Sequence, residues 1–370
     1  MAEMSGYWTS DGHELTVNEL FESRRRNRAW RSDKRFRHCE KSFLWLMNAL
    51  GLKTSFGLDN MLRQIEVEGS AMFYFPPRVI ERPGGGVRII ISPKPEFRLV
   101  QRRIHLLLKR TFKRPPHAFG FRGGSCMDLV WRHKNSQSTL KFDIKDAFFK
   151  VGYTRVRSSL SSHRRYQLNP SFKWLSGYSR GFSGSIAHWI ARLCTYAPIS
   201  KEIAKFLPRG AYSFLPQGAP TSPICFDLAC AKLDKKLARI AERIGGVMSR
   251  YADNYYFSMP TSEISPKLEA MIICSTRKRY GFPIHKVRTA DEGELCRILG
   301  YNLTNGQIRN TREFLRKLRG ALYVLQTKLD RDLDWEDAYR RVRGFMGFAA
   351  DLPGNLQKIY EYCESKIASL

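Results

Sequence analysis

Two acidic residues stand at points where the chain is expected to leave an apolar strand. Asp143 lies near the end of the apolar segment 139–144 (TLKFDI), and Asp253 lies at the turn between two short strands predicted over 246–258. A carboxylate that ends a buried strand is costly unless a partner compensates its charge. A divalent cation would compensate both acids, and Mg²⁺ is usually held by one or two carboxylates together with substrate phosphates. The pair therefore predicts a magnesium site, although each acid alone would be interpreted as an ordinary capping or turn residue.

The net charge indicates a polyanionic partner. The 370 residues include 63 Lys and Arg against 34 Asp and Glu, which gives a net charge of +29. Such an excess serves chiefly to neutralise phosphates with release of counterions, so nucleic acid is the expected partner. A membrane surface is the alternative, but the basic residues alternate with aromatic and turn residues and do not line one face of an apolar helix. No apolar stretch approaches about 18 residues, so we expect a cytoplasmic protein with no membrane partner.

Composition excludes several other classes of protein. With 43% hydrophobic and 12% aromatic residues the chain can bury a sizeable core, which excludes a disordered, collagen-like or disulfide-stapled protein. The eight cysteines form no Cys-x-x-Cys pair, and the eight histidines lack the spacing of metal ligands. These patterns argue against a zinc site.

The order of predicted elements favours an α+β fold. Strands are predicted over 139–144 and 246–258, and a hairpin is predicted over 73–93 around the turn signal Pro-Gly-Gly-Gly. Helical periodicity is found over 14–50, 96–112, 184–195, 225–243, 264–280 and from 311 onward, with a break near 351–354. Helices mixed with an antiparallel sheet indicate α+β architecture.

Basic residues cluster on three of these predicted helices. In the first helix they are interleaved with Trp30 and Phe36, whose rings offer stacking surfaces beside the charge. A solvated helix face is the alternative interpretation. The residues that we expect to contact RNA are Arg24, Arg25, Arg26, Arg28, Arg31, Arg102, Arg103, Arg312, Arg316, Lys317 and Arg319.

Three motifs in a fixed order surround the two acids. They are FDIKDAFFKV at 142–151, LPQGAPTSP at 215–223 and SRYADNYYFS at 249–258. In this order they resemble the palm motifs of reverse transcriptases, most closely those of the bacterial retron and retron-like defence-associated enzymes. HAFGFRGGS at 117–125 and GFPIHKVRT at 281–289 help to extend the resemblance over roughly residues 75–320.

The resemblance implies a right-hand polymerase, with fingers, a palm built on an antiparallel sheet and a helical thumb. The implied ranges are 1–74 for a basic helical N-terminal extension, 75–140 with part of 150–215 for the fingers, 141–300 for the palm and 301–370 for the thumb. Asp143 and Asp253 match the carboxylates that bind two Mg²⁺ ions, with Mn²⁺ as a possible substitute, and Asn254 completes the catalytic turn.

The resemblance also implies a nucleotide site. The residues that match it are Arg88, Phe148, Gln217, Gly218 and Arg288. Arg88 would bind the triphosphate, and Arg288 stands where the family usually has a lysine near the leaving pyrophosphate. The ring of Phe148 would collide with a 2′-hydroxyl and so select deoxynucleotides, although a plain core aromatic is the alternative.

Three departures from the family pattern leave the subgroup open. The turn reads YADN where the family usually has YADD, so Asn254 replaces the second acid. The motif that often marks retrons as NAxxH keeps only His133, and their later VTG reads Ile-Leu-Gly at 298–300. No RNase H, integrase or endonuclease motif follows the implied thumb, so we expect dependence on separate partners.

The leading hypothesis is an RNA-directed DNA polymerase that works on a dedicated noncoding RNA as template and primer, in bacterial antiphage defence. It would consume deoxynucleoside triphosphates, release a DNA product and act with a separate effector protein. One alternative keeps the fold but changes the reaction to template-poor or protein-primed DNA synthesis. A second alternative is an RNA-binding scaffold in which Asn254 marks lost catalysis.

Overall fold

The computed structural model describes residues 34–52, 56–81, 87–121, 125–161, 182–197, 213–292, 294, 296–304, 306–350 and 352–369. The helices, in chain order, are α1 (Lys34–Ala49), α2 (Phe56–Glu68), α3 (Pro95–Thr111), α4 (Cys126–Arg132), α5 (Tyr153–Ser161), α6 (Gly184–Cys194), α7 (Ser222–Glu242), α8 (Pro266–Cys274), α9 (Arg312–Asp330), α10 (Glu336–Met346) and α11 (Gly354–Ala368). The strands are β1 (Arg78–Glu81), β2 (Val87–Ile90), β3 (Ser138–Ile144), β4 (Val247–Tyr251), β5 (Asn254–Met259), β6 (Ile284–Ala290), β7 (Cys296–Ile298), β8 (Tyr301–Thr304) and β9 (Gln307–Asn310).

The described residues divide into two compact units. One unit contains the described residues up to Pro115 together with those of 146–232, and the other contains those of 116–145 and 233–370. Both units are discontinuous in sequence. None of the helices in the described ranges is both long and apolar enough to cross a membrane.

The first unit contains the β1–β2 hairpin and helices α1, α2, α3 and α5, which pack on α6. The hairpin is antiparallel, with Glu81 opposite Val87. Three of the four residues of β2 are at least partly exposed. Helix α3 buries Phe97, Ile104 and Leu108 on one face while most of its basic residues lie on the other, as its apolar spacing predicts. Its position is fixed by a buried amide, Gln101, which donates to Tyr74 Oη and to the carbonyl of Leu193, at 2.9 Å each.

The second unit is built on a four-stranded antiparallel sheet in the order β4-β5-β3-β6. Strand β3 alternates between a fully buried face, with Leu140 and Phe142, and a half-buried face, with Lys141 and Asp143. The ring of Phe142 stacks on Tyr255 of β5 at 5.0 Å, so aromatic contacts across the strands reinforce the main-chain pairing. The sheet places one polar face of β3 where side chains remain accessible.

The second unit also contains a small sheet and three helices. Strands β7, β8 and β9 form an antiparallel sheet, and α9, α10 and α11 enclose a core that includes Leu322, Val342 and Leu356. The carbonyl of Phe348, just beyond α10, accepts hydrogen bonds from Tyr301 Oη at 2.8 Å and from Asn310 Nδ2 at 3.0 Å. These bonds tie the three helices to the small sheet.

Most predicted elements are present, with shifted boundaries. The predicted helix 264–280 is α-helical only to Cys274, and Ser275–Arg279 continues as a π-helical turn. The C-terminal helical region has an additional break before Glu336. The edge strand β6 was not predicted, because most of its residues are exposed and its sequence, IHKVRTA, lacks the apolar alternation of a half-buried strand.

Candidate active site

The register of two neighbouring strands brings Asp143 and the turn of Asp253 together. In the β3–β5 pairing Asp143 lies opposite Asn254, the residue after Asp253. The main-chain N–H of Ile144 donates to the carbonyl of Asp253 at 3.0 Å. Backbone pairing thus makes neighbours of two acids that are 110 positions apart in the sequence.

Asn254 contacts the neighbouring acid directly. Its Nδ2 donates to Asp253 Oδ1 at 3.1 Å. An amide in this position orients the carboxylate without adding a second negative charge beside it. A carboxylate at position 254 could not donate this bond and would repel Asp253 when ionised.

The turn itself has an uncommon backbone. Ala252 adopts φ 54°, in the left-handed region that a residue with a Cβ rarely occupies. Gly120 lies against it, and a Cβ built on Gly120 would come within 2.7 Å of the main-chain nitrogen of Ala252. The glycine in the HAFGF segment therefore permits the close approach of that segment to the turn.

A β-bulge adds a residue that the sequence reasoning did not identify. The β3–β6 register shifts between Phe142 and Ile144, so β6 carries one extra residue at the level of Asp143. The bulge brings His285 Nδ1 within 3.2 Å of Asp143 Oδ2. The position of His285 in GFPIHKVRT was visible in the sequence, but its contact depends on the bulge.

Arg288 and Lys141 place two cations opposite each other beside Asp143. The two residues are partners in the β3–β6 register, and Arg288 is exposed. Burial lowers the pKa of Lys141, the nearby Arg288 lowers it further, and Asp143 opposes the shift. Like charges opposed across two strands destabilise a sheet, so this pair favours a role in binding anionic groups.

In the first unit the predicted nucleotide residues Arg88 and Gln217 lie in contact. Arg88 Nε donates to Gln217 Oε1 at 3.0 Å, and the N–H of Ile91 donates to the carbonyl of Gln217 at 2.7 Å. Gly218 has φ +120°, and a Cβ there would lie 3.0 Å from the carbonyl oxygen of Ile91. The glycine permits this close approach, and the QG motif is thereby docked on the chain that leaves β2.

Phe148 is half-buried in the same unit. Its ring stacks on Phe226 of α7 with centroids 5.3 Å apart, and its carbonyl accepts from the N–H of Leu215 at 3.2 Å. The stacking fixes the direction of the ring. Selection of the sugar by Phe148 stays a prediction.

The predicted RNA contacts fall into three groups. Arg102, Arg312, Arg316, Lys317 and Arg319 are exposed, and Lys317 pairs with Glu313 at 2.7 Å. The guanidinium of Arg103 donates to the carbonyls of Leu50 and Gly51, at 3.2 and 2.9 Å, and so satisfies main-chain groups at the end of α1. Arg24, Arg25, Arg26, Arg28 and Arg31 lie outside the described residues.

The donor set at the sheet fits a hard divalent cation. Asp143 and Asp253 supply carboxylate oxygens, and the Asp143 side chain is 31% exposed and hence accessible. Within the described ranges no group of three or more His, Cys, Asp and Glu residues forms a metal-binding cluster. Mg²⁺ is usually held by one or two carboxylates together with water and substrate phosphates, so these two acids match its coordination habit and differ from that of zinc.

Residues 80–303 match the family described as reverse transcriptase (RNA-dependent DNA polymerase). The chain is 30% identical over 270 residues to the retron Mx162 reverse transcriptase of Myxococcus xanthus, covering 66% of this chain and 51% of that protein. It is 30% identical over 248 residues to the Mx65 enzyme of the same organism, covering 65% of this chain and 54% of that protein. The chain therefore spans about half the length of these two relatives.

A third relative, the retron Ec86 reverse transcriptase of Escherichia coli, is 21% identical over 269 residues, and the alignment covers 72% of this chain and 72% of that protein. Among solved structures, a foamy viral protease–reverse transcriptase in complex with double-stranded DNA is 14% identical with a TM-score of 0.41, covering 84% of this chain and 44% of that chain. The match to the reverse transcriptase family, together with the helices and antiparallel sheet described above, confirms the predicted α+β, right-hand polymerase fold. Because the family match extends over more than half of its residues, this chain belongs to the reverse transcriptase family and is of the bacterial retron type.

Proposed function

We propose that this protein is an RNA-directed DNA polymerase that copies a dedicated noncoding RNA. The observation that carries the proposal is the strand register that makes neighbours of Asp143 and the Asp253 turn. The partly exposed end of β3, beside the turn of Asp253, offers a place where a nucleotidyl group could be transferred.

Asp143 and Asp253 would hold Mg²⁺, and Mn²⁺ is an alternative ion for the same oxygens. When bound, such ions stabilise charge on the attacking and leaving oxygens of an in-line phosphoryl displacement. The protein residues orient this arrangement: the Asn254 amide holds the Asp253 carboxylate, and His285 holds that of Asp143. The hydrogen bond from Asn254 to Asp253 favours an active polymerase over an RNA-binding scaffold, because through it the amide orients a predicted metal ligand.

Basic side chains would bind the phosphates of the incoming deoxynucleoside triphosphate, and Phe148 would select its sugar. Arg88 offers a planar guanidinium suited to phosphate, and its contact with Gln217 is exposed and exchangeable. Arg288 and Lys141 supply positive charge beside Asp143. Gly218 leaves space at the main chain, and the Phe148 ring would exclude a ribose.

The template and primer would be a noncoding RNA, with DNA as the product. The net charge of +29 and the exposed cations of α3 and α9 support RNA binding by counterion release. Action in the cytoplasm, a separate effector protein and a role in antiphage defence complete the proposal. The retron type of the relatives supports these parts of the proposal. The domain ranges given above are also part of the proposal.

The test uses the protein with its copurifying RNA. Purified at low salt, the wild type should carry one discrete RNA and, on addition of labelled deoxynucleotides and Mg²⁺, synthesise DNA complementary to it. Asp143→Ala should carry the same RNA and synthesise none. Only heterogeneous bulk RNA would contradict a dedicated partner. Product DNA without complementarity to any bound RNA would favour template-poor or protein-primed synthesis.

A further inference from the structure

A buried ion pair lies next to the turn that carries Asp253. Arg250 of β4 and Asp234 of α7 are 0% and 1% exposed. Their contact is a fork, with Arg250 Nη2 at 2.9 Å from Asp234 Oδ2 and Nε at 3.0 Å from Oδ1. Tyr255, the second residue of β5, donates its hydroxyl to Asp234 Oδ1 at 2.8 Å. One carboxylate thus receives bonds from both strands that flank the turn.

The same guanidinium also holds the main chain of the turn. Arg250 Nη1 donates to the carbonyl of Ala252 at 2.9 Å. Ala252 is the left-handed residue, with φ 54°, and it directly precedes Asp253. A backbone in this region persists only where its surroundings impose it. Arg250 therefore connects a fixed helical carboxylate to the strained residue beside the predicted metal ligand.

Two further hydrogen bonds hold the main chain of Arg250 itself. Its N–H donates to the carbonyl of His117 at 2.7 Å, and its carbonyl accepts from the N–H of Phe119 at 2.8 Å. Gly120, the residue after Phe119, lies against Ala252. The turn is thus held on one side by main-chain pairing and on the other by the Arg250 side chain.

A buried ion pair is a poor device for stability alone, because apolar residues of similar volume often serve as well or better. We propose that Arg250, Asp234 and Tyr255 are positioning residues that set the place of the Asp253 carboxylate and thereby the metal affinity of the site. The inference rests on the proposed function, in which Asp253 binds a divalent cation. Residues of this kind around a metal site typically change metal affinity or activity about 10- to 100-fold when they are altered.

The test compares Tyr255→Phe and Arg250→Lys with Ser258→Ala. Tyr255→Phe removes one hydroxyl, and Arg250→Lys keeps the charge but loses the planar fork. Ser258 lies on the same strand, is buried, and contacts His133 Nδ1 at 2.5 Å, so its loss should lower stability without altering the turn. Asp253→Ala serves as the reference for a missing ligand.

Binding of Mn²⁺ alone is measured by electron paramagnetic resonance, together with the melting temperature and the kcat for incorporation. We expect Mn²⁺ affinity and kcat to fall about tenfold in Tyr255→Phe and further in Arg250→Lys. In Ser258→Ala both should stay at the wild-type value, even if its melting temperature falls as much as that of Tyr255→Phe. Wild-type Mn²⁺ affinity in Tyr255→Phe would overturn the inference while leaving the proposed function intact, and this variant decides the matter if Arg250→Lys fails to fold. Equal Mn²⁺ binding by the wild type and Asp253→Ala would overturn both.

Discussion

The two units hold their predicted site residues in different ways. In the second unit Asp143 and Asp253 are fixed by the register of a sheet whose central strands are buried, and by a buried ion pair beside the turn. In the first unit Arg88 and Gln217 meet through one exposed hydrogen bond between side chains. Water competes for such a bond, so it contributes little to stability and can be exchanged for a contact with a ligand. The residues proposed for chemistry are therefore held rigidly, whereas those proposed for nucleotide binding can rearrange when a ligand binds.

The largest effect is expected from a methyl group at the turn. Gly120→Ala should lower kcat about 100-fold, because the new Cβ would meet the Ala252 nitrogen and displace the turn of Asp253. Gly218→Ala is the matched change in the first unit, where the contact with the Ile91 carbonyl is looser, at 3.0 Å. It should act mainly on the KM for the deoxynucleotide. Steady-state incorporation measures both, and a wild-type kcat in Gly120→Ala would remove the basis of the comparison.

A second effect, on the choice of sugar, is expected in the first unit. Phe148→Ala should raise the use of ribonucleotides relative to deoxynucleotides about 10- to 100-fold, because a ring held by Phe226 would no longer meet the 2′-hydroxyl. Phe149→Ala is the control, since Phe149 packs on Phe214 at 4.8 Å and should change stability without changing the ratio. Competing incorporation of the two nucleotides gives the ratio. An equal ratio in the wild type and an active Phe148→Ala would place the selection on another residue.

A third effect, about tenfold in the unfolding equilibrium per pH unit, concerns the stability of the second unit. Burial lowers the pKa of His133 to about 3. Between about pH 6.5 and 3 this histidine is therefore protonated in the unfolded chain and neutral in the folded chain. The free energy of unfolding should therefore fall as pH decreases from about 6.5 towards 3, by up to about 1.4 kcal/mol per pH unit from this group. Urea unfolding at several pH values measures the slope. His133→Gln should reduce it, and an unchanged slope would contradict the assignment.

Local patterns were enough to predict most of the elements. The apolar run before Asp143, the short strands around Asp253 and the amphipathic spacing of α3 each depend on neighbours in sequence, and the structure confirms all three. The pairing of the two acids followed from the order of the motifs. Strand β6 was missed because it is an edge strand whose charged side chains hide the alternation.

The remaining site contacts depend on distances in space that no local pattern encodes. His285 reaches Asp143 only because of the bulge in β6. Arg250 and Asp234 are 16 positions apart, and each alone looks like an ordinary polar residue of a strand or a helix. A signal was present, since Arg250 stands inside a predicted strand, and an arginine that becomes buried in a sheet requires a partner. Helical periodicity did not indicate that Asp234 would be that partner.

Asn254 provides the most direct test of the central claim, that this chain is an active polymerase despite the amide in its turn. Primer extension on an RNA template is measured for the wild type, Asn254→Asp and Asp143→Ala across titrations of Mg²⁺ and Mn²⁺. We expect the wild type to extend the primer, with a greater response to Mn²⁺, Asn254→Asp to retain extension, and Asp143→Ala to stay at background. A wild type at the level of Asp143→Ala, together with gain of extension in Asn254→Asp, would contradict the account and identify an RNA-binding scaffold.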